Sequence, residues 1–429
     1  MKQLKKPEVL APAGTLEKLK TAVIYGADAV FIGGEAYGLR SRAGNFGYDE
    51  IDEGVQFAHE RGAKVYITAN MVTHEGDEEG ADRFFQKLYE LGVDAVIVSD
   101  PALIAICAEA APNLPIHLST QASAANYETL NFWAEEGLER VVLAREVSMA
   151  EIMEMQQHVD VEIEAFIHGA MCISYSGRCV LSNHMERRDA NRGGCCQSCR
   201  WKYGLFDMDF DGNRNFITHG EKDPDWEPFS MSSVDMSMIH HIPDLIEAGV
   251  DSLKIEGRMK SIHYVSTVCN VYRAAVDAYC ADPEHYVVKQ EWVDELWKAA
   301  QRELASGFYY GIPSENEQLF GQRRRIPGYA FVGQVLGYDP ETQMATIQQR
   351  NNFKVGDIIE FYGPGMRHFE QVLSQMWDED GNEIEVARHA MMTVRFKVNH
   401  PVQVNDMIRK EKPEIKVKTR PRQRVASRL

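Results

Sequence analysis

Through the first 255 residues the chain alternates between two textures. Stretches with apolar positions spaced about 3.6 residues apart give way to short, nearly continuous runs of Val, Ile and Ala. The first texture predicts amphipathic helices over 16–25, 48–61, 82–91, 127–136 and 235–248. Each stops at a glycine (Gly26, Gly62, Gly92, Gly137 and Gly249), the residue favoured just past a helix because it takes the left-handed conformation without a Cβ clash. The second texture predicts eight buried parallel strands, over 9–11, 29–33, 64–70, 95–99, 115–120, 140–144, 162–167 and 252–256. Eight βα units with short connections predict an α/β, TIM-like (β/α)8 barrel. No Gly-x-Gly-x-x-Gly follows the first strand, which argues against a dinucleotide fold.

One connection breaks the rhythm. An insertion over about 168–233 leaves the C-terminal end of the seventh strand, the face on which barrel enzymes carry their chemistry. Further helices are predicted over 261–281 and 290–306. From 329 the pattern changes to short strands and turns, over 331–336, 344–348, 357–361, 392–398 and 403–409, which predicts a small antiparallel β-barrel. Two similar phrases, KVGDIIE at 354–360 and QVNDMIR at 403–409, recur within it. The expected division is therefore a barrel over 1–328, a β-barrel domain over 329–412 and a basic tail over 413–429.

The net charge is −18, which argues against a general nucleic-acid binder. Its distribution changes that picture. The 21 residues from 409 to 429 hold nine Lys or Arg and two Glu. Arg323, Arg324 and Arg325 form a second basic run, and Arg187, Arg188, Arg192, Arg200 and Lys202 a third. Such patches can bind a polyanion locally, or stand as solvated surface. No run approaches the roughly 20 apolar residues that span a bilayer, and the N-terminal segment reads as a strand rather than a leader. No membrane partner and a cytoplasmic location are expected.

Five of the eight cysteines fall between Cys172 and Cys199. In a reducing compartment such a cluster points to a metal rather than disulfides. Cys172, Cys179, Cys195 and Cys199 are spaced irregularly, with Cys196 as an extra thiol. Three readings stay open: an iron–sulfur cluster, which tolerates wide spacing; a zinc site, which prefers two short Cys-x2–4-Cys knuckles; and unligated thiols. Spacing alone does not choose between Cys195 and Cys196.

The segment EAFIHGAMCISYSGRCVLS at 164–182 resembles the signature of the collagenase-like peptidase family. The resemblance continues in LAPAG at 10–14, YGADAV at 25–30, NRGGC at 191–195, CRW at 199–201 and KIEGRMKS at 254–261. It covers essentially the whole chain and is strongest to the family's prephenate-dependent tRNA uridine hydroxylases. It implies oxygen-independent hydroxylation of a wobble uridine at C5, with prephenate as hydroxyl donor and tRNA as partner. It also implies a 4Fe-4S cluster on Cys172, Cys179, Cys195 and Cys199. A paralogous subunit or a second copy of the chain is a further candidate partner.

A dicarboxylate such as prephenate calls for cations, and Arg145, Lys254 and Arg258 sit at predicted strand ends. Asn70 and Gln121 sit there too, as hydrogen-bonding groups for substrate or a uracil edge. Glu164 and His168 flank the end of the seventh strand as a candidate acid and base. Tyr175, between the first two cysteines, is placed to stack on a base. Two alternatives to the hydroxylase are a peptidase, with Cys196 as nucleophile, and an iron–sulfur accessory protein for another hydroxylase. The chain lacks His-Glu-x-x-His and Gly-x-Ser-x-Gly, which weakens the peptidase reading.

Overall fold

The computed structural model describes residues 5–39, 44–203, 206–208, 214–216, 229–314, 317–319 and 328–412. They form two units, divided near residue 326. In the first, strands β1 (Glu8–Pro12), β2 (Ala29–Gly33), β3 (Lys64–Ala69), β4 (Ala95–Val98), β5 (Ile116–Leu118), β6 (Arg140–Val142) and β7 (Glu162–Ala170) pair in sequence order. A further parallel strand, Ser252–Ile255, pairs with both β1 and β7 and closes the barrel. The eight strands are those expected from the apolar runs. The glycines Gly26, Gly62, Gly92, Gly137 and Gly249 all have positive φ, as the helix-stop reading requires.

The expected helix over 235–248 is shorter. Asp235–Ser237 instead forms a strand antiparallel to β7, and helix begins only at Ile242–Glu247. Pro243 explains the delay, since its ring fits the first helical turn but not the interior. The helix expected over 290–306 ends at Ala299, and Leu304–Ala305 pairs with the Asp235–Ser237 strand.

The barrel interior is partly polar, which apolar runs do not announce. Arg140 donates to Glu8 (2.8 Å) and Glu162 (2.7 Å) and lies 3.4 Å from Glu164. Lys254 pairs with Glu164 at 2.6 Å. Tyr66 and Ser252 hydroxyls also donate to Glu8. This plug fills the barrel beneath its C-terminal mouth.

The second unit is an antiparallel sheet of seven strands, with Tyr329–Asp339 and Met407–Glu411 at its centre, and a two-stranded ladder beside it. Strand Arg367–Val372, unannounced by its mixed sequence, forms one edge. The two similar phrases adopt the same turn. Asp357 accepts from the Lys354 N–H and Asp406 from the Gln403 N–H, next to the left-handed residues Gly356 and Asn405. Their strands then pair with each other, placing Glu360 opposite Arg409. Arg323–Arg325 and the tail over 413–429 lie outside the described residues.

Candidate functional site: a cationic cavity beneath a cysteine loop

Side chains at the C-terminal ends of the barrel strands and from the insertion enclose a cavity of about 440 Å³. That volume falls within the range of small-molecule sites. Among the described residues, six cations line it (Arg145, Arg200, Lys254, Arg258, Lys260 and Arg302) against one carboxylate, Glu256. On a chain of net charge −18 this is a local reversal of sign.

Each cation is held in place. The Arg145 guanidinium stacks 3.8 Å over Phe166 and pairs with Glu256 at 3.3 Å. Arg258 donates to the Asn45 side chain at 2.6 Å and packs on Gly33, where a Cβ would lie 2.1 Å from the guanidinium. A larger residue at the end of β2 would have to push the guanidinium away from this position. Arg200 donates to the Met171 carbonyl at 3.0 Å. Burial, with help from nearby Arg302, lowers the Arg200 pKa. Lys260 bonds Gln301 at 3.1 Å, and Arg302 pairs with Asp235.

The insertion is clamped over this mouth. The Glu146 carboxylate accepts from both the Ser176 N–H and its hydroxyl, each at 2.6 Å. Arg178 donates to the Gln121 carbonyl at 2.6 Å. Asn191 makes a reciprocal pair with the Cys179 backbone, accepting from its N–H at 3.0 Å and donating to its carbonyl at 3.1 Å. Arg192 ties the same turn to Asp77 at 2.6 Å. Ser176, Gly177, Arg187, Gly193 and Gln197 all have positive φ, so this loop reverses repeatedly within a few residues.

Cys172, Cys179, Cys195 and Cys199 all line the cavity, and Cys196 does not. Burial pushes the Cys199 thiol up to about 11; Arg200 opposes the rise, and Cys172, Cys195 and Cys179 add to it. The four sulfurs therefore share one electrostatic neighbourhood. The Leu181 N–H points at Cys179 Sγ (3.3 Å), a donor of the kind that stabilises a ligated sulfur. Among the described residues, no three His, Cys, Asp or Glu side chains close on a point that one ion would fill. Four thiols around a shared space fit the donor chemistry of a multi-iron cluster. Cys196 bonds the Ser182 hydroxyl at 3.3 Å. Burial opposes its ionisation, but hydrogen bonds from Ser182 and Ser198 prevail and lower its pKa. A serine hydroxyl is no general base, so this pairing does not assemble the activated nucleophile of a thiol protease.

Of the residues singled out in the sequence, the structure brings Asn70, Gln121, Arg145, Lys254 and Arg258 to the cavity beside the four cysteines. Glu164 and His168 lie elsewhere, and these are corrections, while Tyr175 lies at the surface. Glu164 is fully buried in the barrel plug, held by Lys254 and Arg140, and does not reach the cavity as an acid or base. His168 is buried behind the wall, bonded to the Tyr272 hydroxyl at 3.2 Å and flanked by the Tyr264 and Tyr272 rings. Burial lowers its pKa to about 4, so at neutral pH it is an uncharged packing group. Tyr175 is 57% exposed and is not part of the cavity lining. The basic group around 187–202 also divides, with Arg200 lining the cavity, Arg192 paired, Arg187 exposed and Arg188 half-buried.

Sequence reasoning missed Glu146 and Asn191 as clamps, and Lys260 and Arg302 as lining cations. Lys260 lies within the 254–261 motif and carried a signal. Arg302 follows a helix with no motif around it, and only the fold brings it to Asp235.

Comparison with known proteins now bears on this site. The model of peptidase family U32 matches residues 14–319, and that of the family's C-terminal domain matches 327–409. A Bacillus subtilis relative, tRNA hydroxylation protein P1, is 55% identical over 95% of this chain and 96% of its own. The Escherichia coli tRNA hydroxylation protein P is 34% identical over 93% of this chain and 95% of its own. The crystal structure of the C-terminal domain of a Geobacillus thermoleovorans putative U32 peptidase is 55% identical, covering 19% of this chain and 92% of that one, with a TM-score of 0.19. With both family models and near-full-length relatives matched, this chain belongs to peptidase family U32.

Proposed function

We propose that the protein hydroxylates a tRNA uridine at C5, takes the hydroxyl group from prephenate, and carries a 4Fe-4S cluster on Cys172, Cys179, Cys195 and Cys199. One observation carries the reading: six cations and four thiols line a single cavity at the catalytic face of the barrel. The relatives named as tRNA hydroxylation proteins support the RNA class of substrate.

The cations suit a dicarboxylate. Arg145 and Arg258 present planar guanidinium forks able to hold carboxylates by paired hydrogen bonds. Lys260 and Arg200 add charge beside the thiols. Replacing a C5–H with C5–OH removes two electrons from the base. The exchange balances if the donor R–OH leaves as R–H, with no external oxidant. When bound, the cluster supplies one-electron chemistry and order to the loop. The chain's own residues hold the donor, orient the ring and exclude water.

The test is an anaerobic reaction of purified, iron-loaded protein with tRNA and prephenate, read by mass spectrometry of digested nucleosides. Hydroxyuridine that depends on prephenate, and that disappears in Arg145→Met and Arg258→Met with iron content retained, is the expected result. Hydroxylation without prephenate refutes the donor. Peptide cleavage without RNA chemistry refutes the reading as a whole.

A further inference from the structure

Large apolar side chains exposed one at a time are ordinary on a protein surface. Around the cavity mouth they are gathered. Ile173, Tyr175, Val180 and Met185 all stand 41–62% exposed within the 13 residues 173–185 of the cysteine loop. Met259, also exposed, adds another from the loop after the eighth strand. Ile173 and Met259 line the cavity as well, so they stand at its lip. Tyr175 lies between the lining residues Ile173 and Ser176, and Val180 between Cys179 and Leu181.

The peptides that carry these groups are pinned. The Ser176 N–H bonded to Glu146 belongs to the Tyr175–Ser176 peptide, and the Cys179 carbonyl bonded to Asn191 belongs to the Cys179–Val180 peptide. Apolar groups on a fixed backbone lose little freedom when something covers them. Arg178 stands exposed between Tyr175 and Val180, anchored through Nε to the Gln121 carbonyl. From 172 to 203 the insertion holds six Lys or Arg against two acidic residues, on a chain of net charge −18.

Position says what covers this lip. A protein seated here would seal the cavity that the substrate must enter, so the occupant is the molecule that delivers the substrate. A cavity of about 440 Å³ takes one base out of its strand and leaves the neighbouring nucleotides outside. The faces of those neighbours are then bare, and aromatic and apolar side chains can cover them. We propose that the lip is an RNA-docking surface. With the target uridine in the cavity, an adjacent base stacks on Tyr175, while Ile173, Val180 and Met259 pack on the flanking nucleotides and Arg178 pairs with the phosphate backbone. An unpaired loop fits this surface, whereas a duplex keeps its base faces stacked. The inference rests on the RNA-hydroxylation reading, but its test is a binding measurement that needs no turnover.

The experiment uses the iron-loaded full chain and an anticodon stem-loop RNA with uridine at the wobble position. Affinity is read by fluorescence anisotropy and product separately by mass spectrometry. Replacing the two bases that flank the target uridine with abasic sugars is expected to weaken wild-type binding at least about tenfold, the worth of one stacked base. Tyr175→Ala is expected to weaken binding of the intact RNA by about the same factor, to lose little more on the abasic RNA, and to keep its iron; Tyr175→Phe should bind as wild type. Arg178→Gln should reduce the salt slope of binding by about one. Equal wild-type affinity for intact and abasic RNA overturns the inference, as does full additivity of the abasic and Tyr175→Ala losses. Wild-type RNA affinity in Tyr175→Ala with Val180→Ser, together with lost self-association in sedimentation, overturns it in favour of a second copy of the chain. Coupled losses in binding without prephenate-dependent product support the docking surface and refute the hydroxylation reading. Prephenate-dependent product with unchanged affinity in the variants does the reverse.

Discussion

In the β unit, Arg409 and Glu360 meet across paired strands at 2.5 Å, both almost fully buried, with the Tyr362 ring 4.3 Å from the guanidinium. In the barrel, Lys254 and Glu164 meet at 2.6 Å, also buried, with Phe31 4.6 Å from the ammonium. The local chemistry is nearly the same. The difference lies in what is next to each pair. The Arg409–Glu360 pair occupies equivalent positions of two similar phrases and joins their strands. Lys254 instead also lines the cavity, among five other cations. One buried pair locks register; the other sets the charge at the floor of a site. A buried ion pair is therefore no guide to function until its neighbours are known.

The largest effect should come from the cavity's thiols. Cys172→Ala is expected to lower bound iron and hydroxylation by at least about a hundredfold, whereas Cys196→Ala should leave both within about twofold. Iron and sulfide analysis with nucleoside mass spectrometry checks this, and equal losses would erase the distinction between the lining thiols and Cys196.

Breaking either ion pair singly should destabilise its unit by about 3–5 kcal/mol, because a charge is left buried and unpaired. Double replacement separates the two. Arg409→Met with Glu360→Leu should restore hydrogen-exchange protection of strand Ile358–Gly363 and leave prephenate binding unchanged. Lys254→Met with Glu164→Leu should recover barrel stability, since Arg140 keeps Glu8 and Glu162, yet still weaken prephenate binding about tenfold through the lost cation. Full recovery of binding would make Lys254 purely structural.

His168 gives a smaller, pH-dependent effect. Its folded pKa, lowered to about 4 by burial, lies below the ordinary 6.5. The unfolded chain thus takes up the proton first as pH falls. The contribution is complete above about pH 6.5 and is lost as pH falls through 4, amounting to about 3 kcal/mol. Urea midpoints across this window should fall less steeply in His168→Asn than in wild type. Smaller still, Asn191→Ala should weaken iron retention about tenfold, by releasing the backbone of Cys179.

The barrel was legible in the sequence because its signal is local. Each βα unit writes its own period and its own glycine stop, and all five glycines adopt the conformation that explains them. Asn70, Gln121, Arg145 and Arg258 were legible as strand-end residues, since the C-terminal ends of parallel strands converge by geometry. Glu164 and His168 misled because a nearly continuous apolar run locates a strand without saying what stands across the barrel. Their partners, Arg140, Lys254 and Tyr272, come from other strands and a distant helix.

By itself the sequence determined the eight-unit barrel, the β unit after it, the clustering of five cysteines in one insertion and the family. Those rest on short-range periodicity, helix stops and contiguous motifs. The tertiary structure alone decided that Cys195 rather than Cys196 lines the cavity, that Arg302 and Lys260 join the cations, and that Glu146 and Asn191 hold the loop. Which side chains share a cavity depends on bringing together segments as far apart as Phe31 and Arg302, and no local pattern along the chain encodes that.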